Sequence, residues 1–233
     1  TTGTTAAPAT VGAGTVTVDG IESISVASGS AAGVNANSIT LDADTAETVT
    51  ITGDQALTLD FVAGFGSDTD GDEVTAIDGS AATGDLDIDI TNVPADAAGL
   101  AVTGGAGEDT ITTGAFKVSV TGGAGDDTFE VDASNGLGQI VSITDLAVGD
   151  MIDFGAGAFN ATKVDVSGAT DLEGAVELAD AAGAISYFDY SGNTYVVGSG
   201  ATASDASDDS IVKLAGIVDL SDSTDAGGVL TFA

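Results

Sequence analysis

Two nine-residue segments hold the residue types best suited to chemistry: Gly104-Gly105-Ala106-Gly107-Glu108-Asp109-Thr110-Ile111-Thr112 and Gly122-Gly123-Ala124-Gly125-Asp126-Asp127-Thr128-Phe129-Glu130. Both fit the pattern G-G-x-G-x-D-x-U-x, with U apolar. Glycines allow backbone conformations that turn carbonyl oxygens toward a common point. The Asp adds a carboxylate, and the last three residues continue as strand. Coordination by carbonyl and carboxylate oxygens alone suits a hard cation of calcium's size, Ca2+. The copies begin 18 residues apart, which is two nine-residue units. In a coil built of two units, the turns would lie one above the other on the same edge. An ion between them would take the carbonyls of Gly105, Gly107, Gly123 and Gly125 and the carboxylates of Asp109 and Asp127. The intervening unit, Thr113 to Thr121, carries Lys117 and no Asp, so the opposite edge is expected to hold no ion there.

Asp68-Thr69-Asp70-Gly71-Asp72-Glu73 is a second carboxylate cluster. Asp68, Asp70 and Asp72 form a further candidate metal loop, and the segment reads equally as a solvated acidic turn. Asp85, Asp87 and Asp89 alternate with Leu86, Ile88 and Ile90, so they should point outward together and repel unless cations or solvent intervene. Asp205, Asp208 and Asp209 read as a solvated turn, and Tyr187, Tyr190 and Tyr195 as strand-packing residues. The chain contains no His, Cys or Trp, which removes histidine-bound zinc, thiolate nucleophiles and any Ser-His-Asp relay. No nucleophile, base or phosphate loop stands out, and the reading is a protein that is not an enzyme.

The elements that must position these turns are mostly strands. Alternating runs occur at Val16/Val18, Ile24/Val26, Ile39/Leu41, Val49/Ile51, Leu57/Leu59/Phe61 and Leu86/Ile88/Ile90, each bounded by Gly, Ser, Asn or Asp. Val93, Val102, Ile111, Val120 and Phe129 follow at successive steps of nine, the regularity of a repeat architecture. The expected fold is mainly β: a parallel β-helix or β-roll solenoid with calcium-binding turns, plus a small C-terminal β-rich cap with one helix. The less even runs of residues 15–90 fit an irregular β-helix or a sandwich built from hairpins. Residues 1–14 read as a linker or assembly arm, 15–139 as the β-rich calcium-binding region, and 140–233 as the cap. Within the cap, Thr170-Asp171-Leu172-Glu173 has the form of a capping box, followed by Leu172, Ala175, Val176 and Ala179 on one helical face and Gly183 as a stop. Ser191-Gly192-Asn193 predicts a hairpin turn between strands at 185–190 and 194–197. Further strands are expected at 211–214 and 229–232.

The 233 residues carry 37 Asp+Glu against 3 Lys+Arg, a formal charge of −34. Hydrophobic residues make up 43%, too many for a disordered acidic tail, so the chain should fold. Like charges at this density oppose a compact state, and divalent cations are the economical remedy. Three lysines without an arginine cannot neutralise a phosphate track, so nucleic acid is excluded as a partner. No run of about 18 apolar residues occurs, so membrane insertion is not expected. The sequence opens on Thr1-Thr2-Gly3 without a Met or a basic and apolar leader, as would a processed chain or part of a longer one.

On Gly104–Thr112 and Gly122–Glu130 the chain resembles the RTX family of exported proteins bearing calcium-binding glycine-rich nonapeptides. Ile143-Thr144-Asp145-Leu146, Asp150-Met151-Ile152-Asp153-Phe154 and Asp208 to Gly216 look like the C-terminal part of such proteins. Asp219, Asp222 and Asp225 precede the apolar finish Val229-Leu230-Thr231-Phe232, as in uncleaved type I secretion signals. The Ala/Gly/Thr/Asp-rich strands of residues 15–103 look most like surface-layer proteins of that family. The resemblance implies calcium as the bound ion, the type I secretion machinery as a partner, and an extracellular or cell-surface location. It further implies a homo-oligomer, a lattice or fibre assembled from the chain itself. The alternative is a monomeric calcium-binding adhesin or the C-terminal module of a larger exported protein.

Overall fold

A computed structural model of the chain describes residues 9–29, 34–66, 73–94, 99–131, 136–180, 185–199 and 206–233. Among them, thirteen strands precede the one α-helix: β1 Ala9–Thr17, β2 Ser23–Ser28, β3 Val34–Asp42, β4 Thr48–Gly53, β5 Ala56–Phe61, β6 Ala76–Ala82, β7 Leu86–Asp89, β8 Leu100–Thr103, β9 Thr110–Thr112, β10 Val118–Thr121, β11 Thr128–Glu130, β12 Val141–Ile143 and β13 Met151–Asp153. Helix α1 Leu172–Asp180 follows, then β14 Ile185–Tyr190, β15 Asn193–Gly198, β16 Ser210–Leu214, β17 Thr224–Ala226 and β18 Val229–Thr231. The protein is mainly β, with two nine-stranded sheets: β1-β3-β5-β7-β9-β11-β13-β18-β17 and β14-β15-β16-β12-β10-β8-β6-β4-β2.

Up to β13, consecutive strands alternate between the sheets, odd strands in the first and even strands in the second. Every pairing among β1 to β13 is parallel. The hairpin-built sandwich considered for residues 15–90 is therefore not what forms. Parallel neighbours need a crossover, and here the crossover is a strand in the facing sheet. Strand β1 begins at Ala9, inside the stretch read as a linker, and pairs with β3. The sheets continue past residue 140 without a break, β12 on β10 and β13 on β11.

Alternation places one aliphatic residue of each pair in a shared core. In the first sheet, register aligns Leu59, Ile88, Ile111, Phe129, Ile152 and Leu230. In the second it aligns Ile24, Val49, Ile77, Val102, Val120, Ile143 and Leu214. All but the partly buried Ile24 are nearly inaccessible. Each full burial contributes about 1.5–3 kcal/mol, and a three- or four-residue strand gains it only by stacking on neighbours.

The step between coils is 18 residues at β8/β10 and β9/β11, where Val102 lies opposite Val120 and Ile111 opposite Phe129. Elsewhere it lengthens: Val120 pairs with Ile143, and Leu59 with Ile88. Val93 does not belong to the strand series. It is buried, but its N–H donates to the Ile90 carbonyl (3.0 Å) in a turn after β7.

In the C-terminal region, β14 and β15 form an antiparallel hairpin. Its turn is Ser191-Gly192, both at positive φ (50° and 81°), the two-residue turn whose twist matches the strands. Helix α1 lays Ala175, Val176 and Ala179 on Phe188, Tyr195, Val197 and Ile211. Its cap is Asp171, whose Oδ1 accepts the Gly174 N–H at 2.9 Å. The N-cap is thus Asp171 rather than Thr170, and with Gly at 174 there is no reciprocal capping box: the Asp171 carboxylate alone satisfies this free N–H of the first turn. Gly183, the expected stop, lies outside the described residues.

Candidate metal site

The connection from β8 to β9, residues 104–109, and that from β10 to β11, residues 122–127, lie on the same edge. The strands flanking both turns are matched at the 18-residue step, so the turns are superposed. The Ala124 N–H donates to the Gly105 carbonyl (3.0 Å), the Asp109 N–H to Asp127 Oδ1 (2.9 Å), and the Thr128 N–H to the Asp109 carbonyl (2.7 Å).

Glycine is required here by the approach of one coil to the next. Gly123 and Gly125 have φ of 112° and 129°. A Cβ at Gly123 would run into the Gly105 carbonyl oxygen, and one at Gly125 into that of Gly107. Any side chain would therefore force the coils apart as well as strain the backbone.

The carboxylates of the two turns belong to a longer column. Asp109 and Asp127 are each 1% exposed, and Asp150, in the 144–150 connection before β13, is 2% exposed. Asp109 accepts the Leu86 N–H through Oδ1 (2.7 Å) and the Gly105 N–H through Oδ2. Asp127 accepts from the Asp109 N–H, and Asp150 accepts the Asp127 N–H at Oδ1 (3.0 Å) and the Ala147 N–H at Oδ2 (2.7 Å). Each carboxylate thus clips its own turn to a neighbouring coil. Asp145 holds the Gly122 and Gly123 N–H groups (3.0 and 2.9 Å), and Asp85 holds the Glu108 N–H (3.1 Å).

Burial raises the pKa of Asp109, only partly offset by the N–H groups of Gly105 and Leu86. Burial likewise pushes Asp127 up to about 6, against the Asp109 N–H, with repulsion from Asp109, Asp150 and Asp145 adding to the rise. Asp150 is raised by burial too. A column of buried carboxylates that resists ionisation is one whose charge a cation would favour.

The residue types are those a hard ion takes, carboxylates and glycine carbonyls, while in this structure both Asp109 oxygens and Asp127 Oδ1 accept backbone N–H groups. The structure brings Gly105, Gly107, Asp109, Gly123, Gly125 and Asp127 together across one pair of turns. It also gives the Gly105 carbonyl a protein donor in Ala124. Among the described residues, no group of three or more acidic side chains converges to hold a metal ion. Asp68, Asp70 and Asp72 lie outside the described residues.

Asp85, Asp145 and Asp150 were not among the sequence-derived site residues. Gly149-Asp150 lacks the full glycine pattern, and Asp150 follows Asp127 by the longer step that also separates Phe129 from its partner Ile152. Gly149 at φ 105°, whose Cβ would strike Asp126 Oδ1, is the one retained signal. Asp209 is fully buried rather than part of a solvated turn. Tyr187 stacks on Phe159 and Tyr195 on Phe188, the packing roles their clustering suggested. No protein-family model matches the chain, and no curated protein sequence matches it.

Proposed function

We propose that this chain is a calcium-stabilised parallel β-solenoid of the roll type, a non-enzymatic structural subunit exported by a type I route that assembles with itself at the cell surface or in extracellular fibres. The observation that carries the reading is the superposition of the turns of Asp109 and Asp127, with a buried carboxylate column running through them and no cationic side chain bonded to it among the described residues. The winding of β1 to β13 between two sheets, with every pairing among them parallel, supports the solenoid, since turns on one edge then recur in register.

Calcium between the turns would be held by Asp109 and Asp127 and by carbonyls of Gly105, Gly107, Gly123 and Gly125. When bound it supplies positive charge at the point where the coils press their carboxylates together. Where calcium is scarce, repulsion within a chain of net charge −34 favours the unfolded, exportable state. Where it is abundant, binding to the folded chain alone adds stability by mass action, about 2.7 kcal/mol at a hundredfold excess over Kd.

Thermal unfolding followed by circular dichroism, in millimolar calcium and in excess chelator, tests the switch. Calcium should raise Tm by many degrees, and light scattering should show large assemblies in calcium alone. Equal Tm values in calcium and chelator would overturn the calcium reading. A calcium-stabilised monomer would leave the adhesin or module reading in its place.

A further inference from the structure

We infer that two copies of this chain join end to end at their first coils, strand β2 of one copy pairing antiparallel with β2 of the other, and β1 with β1, about a twofold axis. This rests on the self-assembly proposed above and names the surface and the partner through which it starts.

The two ends of the sheets differ. At the far end the outer edge of β14 is already taken. The Ile185 N–H donates to the Ala158 carbonyl (3.1 Å), the Ile185 carbonyl accepts from Asn160 (2.8 Å), and the Tyr187 carbonyl accepts from Val164 (2.9 Å). The other end strand there, β17, is three residues long and carries Asp225. At the near end, β1 and β2 are the last strands of their sheets, and among the described residues each is paired on one side only. Strand β1 shifts register at two places, whereas β2 runs in unbroken register with β4. The Glu22 and Ser28 carbonyls point to the β4 side, accepting from Thr48 (3.0 Å) and Gln55 (3.2 Å). By alternation, the N–H and C=O groups of Ser23, Ser25 and Ala27 point away from it, along the free edge.

The apolar core is open at the same end. Val16, Ile24 and Val26 head columns whose next members, Leu41, Val49 and Ile51, are buried. Yet Val16 is 36% exposed, and Ile24 and Val26 are only partly buried. Ile21, in the turn between β1 and β2, is 43% exposed. Monomeric proteins blunt a free edge with Lys, Pro or other charged residues, and neither β1 nor β2 contains any.

Charge selects a second copy as the occupant and fixes its orientation. From Thr1 to Leu41 the charged residues are Asp19 and Glu22 alone, so two molecules of net charge −34 can meet here without setting rows of acids against one another. Identical free edges satisfy each other across a twofold, which runs the facing strands antiparallel. Asp19 and Glu22 both lie in the turn leading into β2. Pairing β1 with β1 and β2 with β2 sets that turn beside the partner's uncharged Ser28 and Gly29, whereas pairing β1 with β2 would set it against its own counterpart. The contact is isologous and closes as a pair, so larger assemblies are built of such pairs.

Sedimentation of the full chain in calcium tests this, across concentrations where pairs exchange with monomers. Ser25→Lys/Ala27→Lys puts charge on the edge while lowering the net charge, so weaker pairing reports on the edge alone. Ser25→Pro removes an outward N–H without costing a bond to β4. Each should keep the wild-type Tm in calcium and need about tenfold or more protein to pair. Ala101→Lys, at an exposed position in mid-sheet, should pair as the wild type does. The chain has no cysteine, so Ser25→Cys and Ala27→Cys, alone or mixed, should give a covalent dimer on oxidation, and Ala101→Cys should not. Edge variants that pair like the wild type, or cross-linking no faster at Ser25 and Ala27 than at Ala101, would overturn the inference while leaving the calcium reading intact. Edge variants that lose Tm without a change in mass would show the edge to be covered by the chain's own residues, and would overturn it too. A wild type that gains Tm in calcium yet stays monomeric would overturn both this inference and the self-assembly it rests on.

Discussion

Asp127 concentrates the electrostatic conflict of this chain at one side chain. It is almost inaccessible, accepts the Asp109 N–H, and faces Asp109, Asp150 and Asp145. Its pKa, raised from 3.8 to about 6, means the folded chain keeps a proton that the unfolded chain has already lost across that interval. More protons bound when folded means stability falls as pH rises through the window. In chelator, acidification from pH 7 toward 5 should therefore raise Tm, with the gain complete near the unfolded pKa and gone above about pH 6. Asp127→Asn retains an oxygen for the Asp109 N–H but not the charge. It should raise chelated stability at pH 7 by about 1 kcal/mol, flatten the pH dependence, and lose most of the calcium-induced Tm shift. Melts of both proteins at pH 5, 6 and 7 check this. A variant with an unchanged calcium response would show that Asp127 is no ligand.

At the scale of elements, period-two alternation located most strands, because a half-buried strand must place alternate side chains in the core. Strand β6 Ala76–Ala82 escaped because Gly79 and small residues break its alternation, and the β4/β6 register shifts there. Parallel pairing was legible from the nine-residue step of the middle region, but for residues 15–90 it was not. Alternation says which face is buried, but partners 18 or more residues apart are chosen by stacking of aliphatic columns such as Val102–Val120–Ile143. The turns of Asp109 and Asp127 were legible because glycine, carboxylate and spacing all change together, whereas Asp150 reaches the same column through a longer, glycine-poor connection. Helix α1 was visible from its apolar face, and its start was misplaced only by one residue. Asp171→Ala should lower stability by about 1 kcal/mol through loss of the bond to Gly174, whereas Thr170→Ala should be near neutral. The reverse order of effects in denaturant unfolding would restore the capping box.

For the whole molecule, length and charge act against each other. The sheets bury a continuous apolar core with few large aromatic residues, while the outer faces and turns carry most of the acidic side chains among the described residues. Each coil contributes a short strand to each sheet, so the structure is only as cohesive as the contacts between successive coils. A close one is the 18-residue step, where glycine backbones touch and buried carboxylates meet. A cation at that step would stabilise the molecule where buried carboxylates of successive coils meet. The most direct measurement is anomalous scattering from crystals grown in saturating calcium. The account predicts an ion between the turns of residues 104–109 and 122–127, at about 2.3–2.6 Å from carboxylate oxygens of Asp109 or Asp127 and from glycine carbonyls. Superposed turns that remain empty under those conditions, or calcium bound only at other places on the surface, would contradict it.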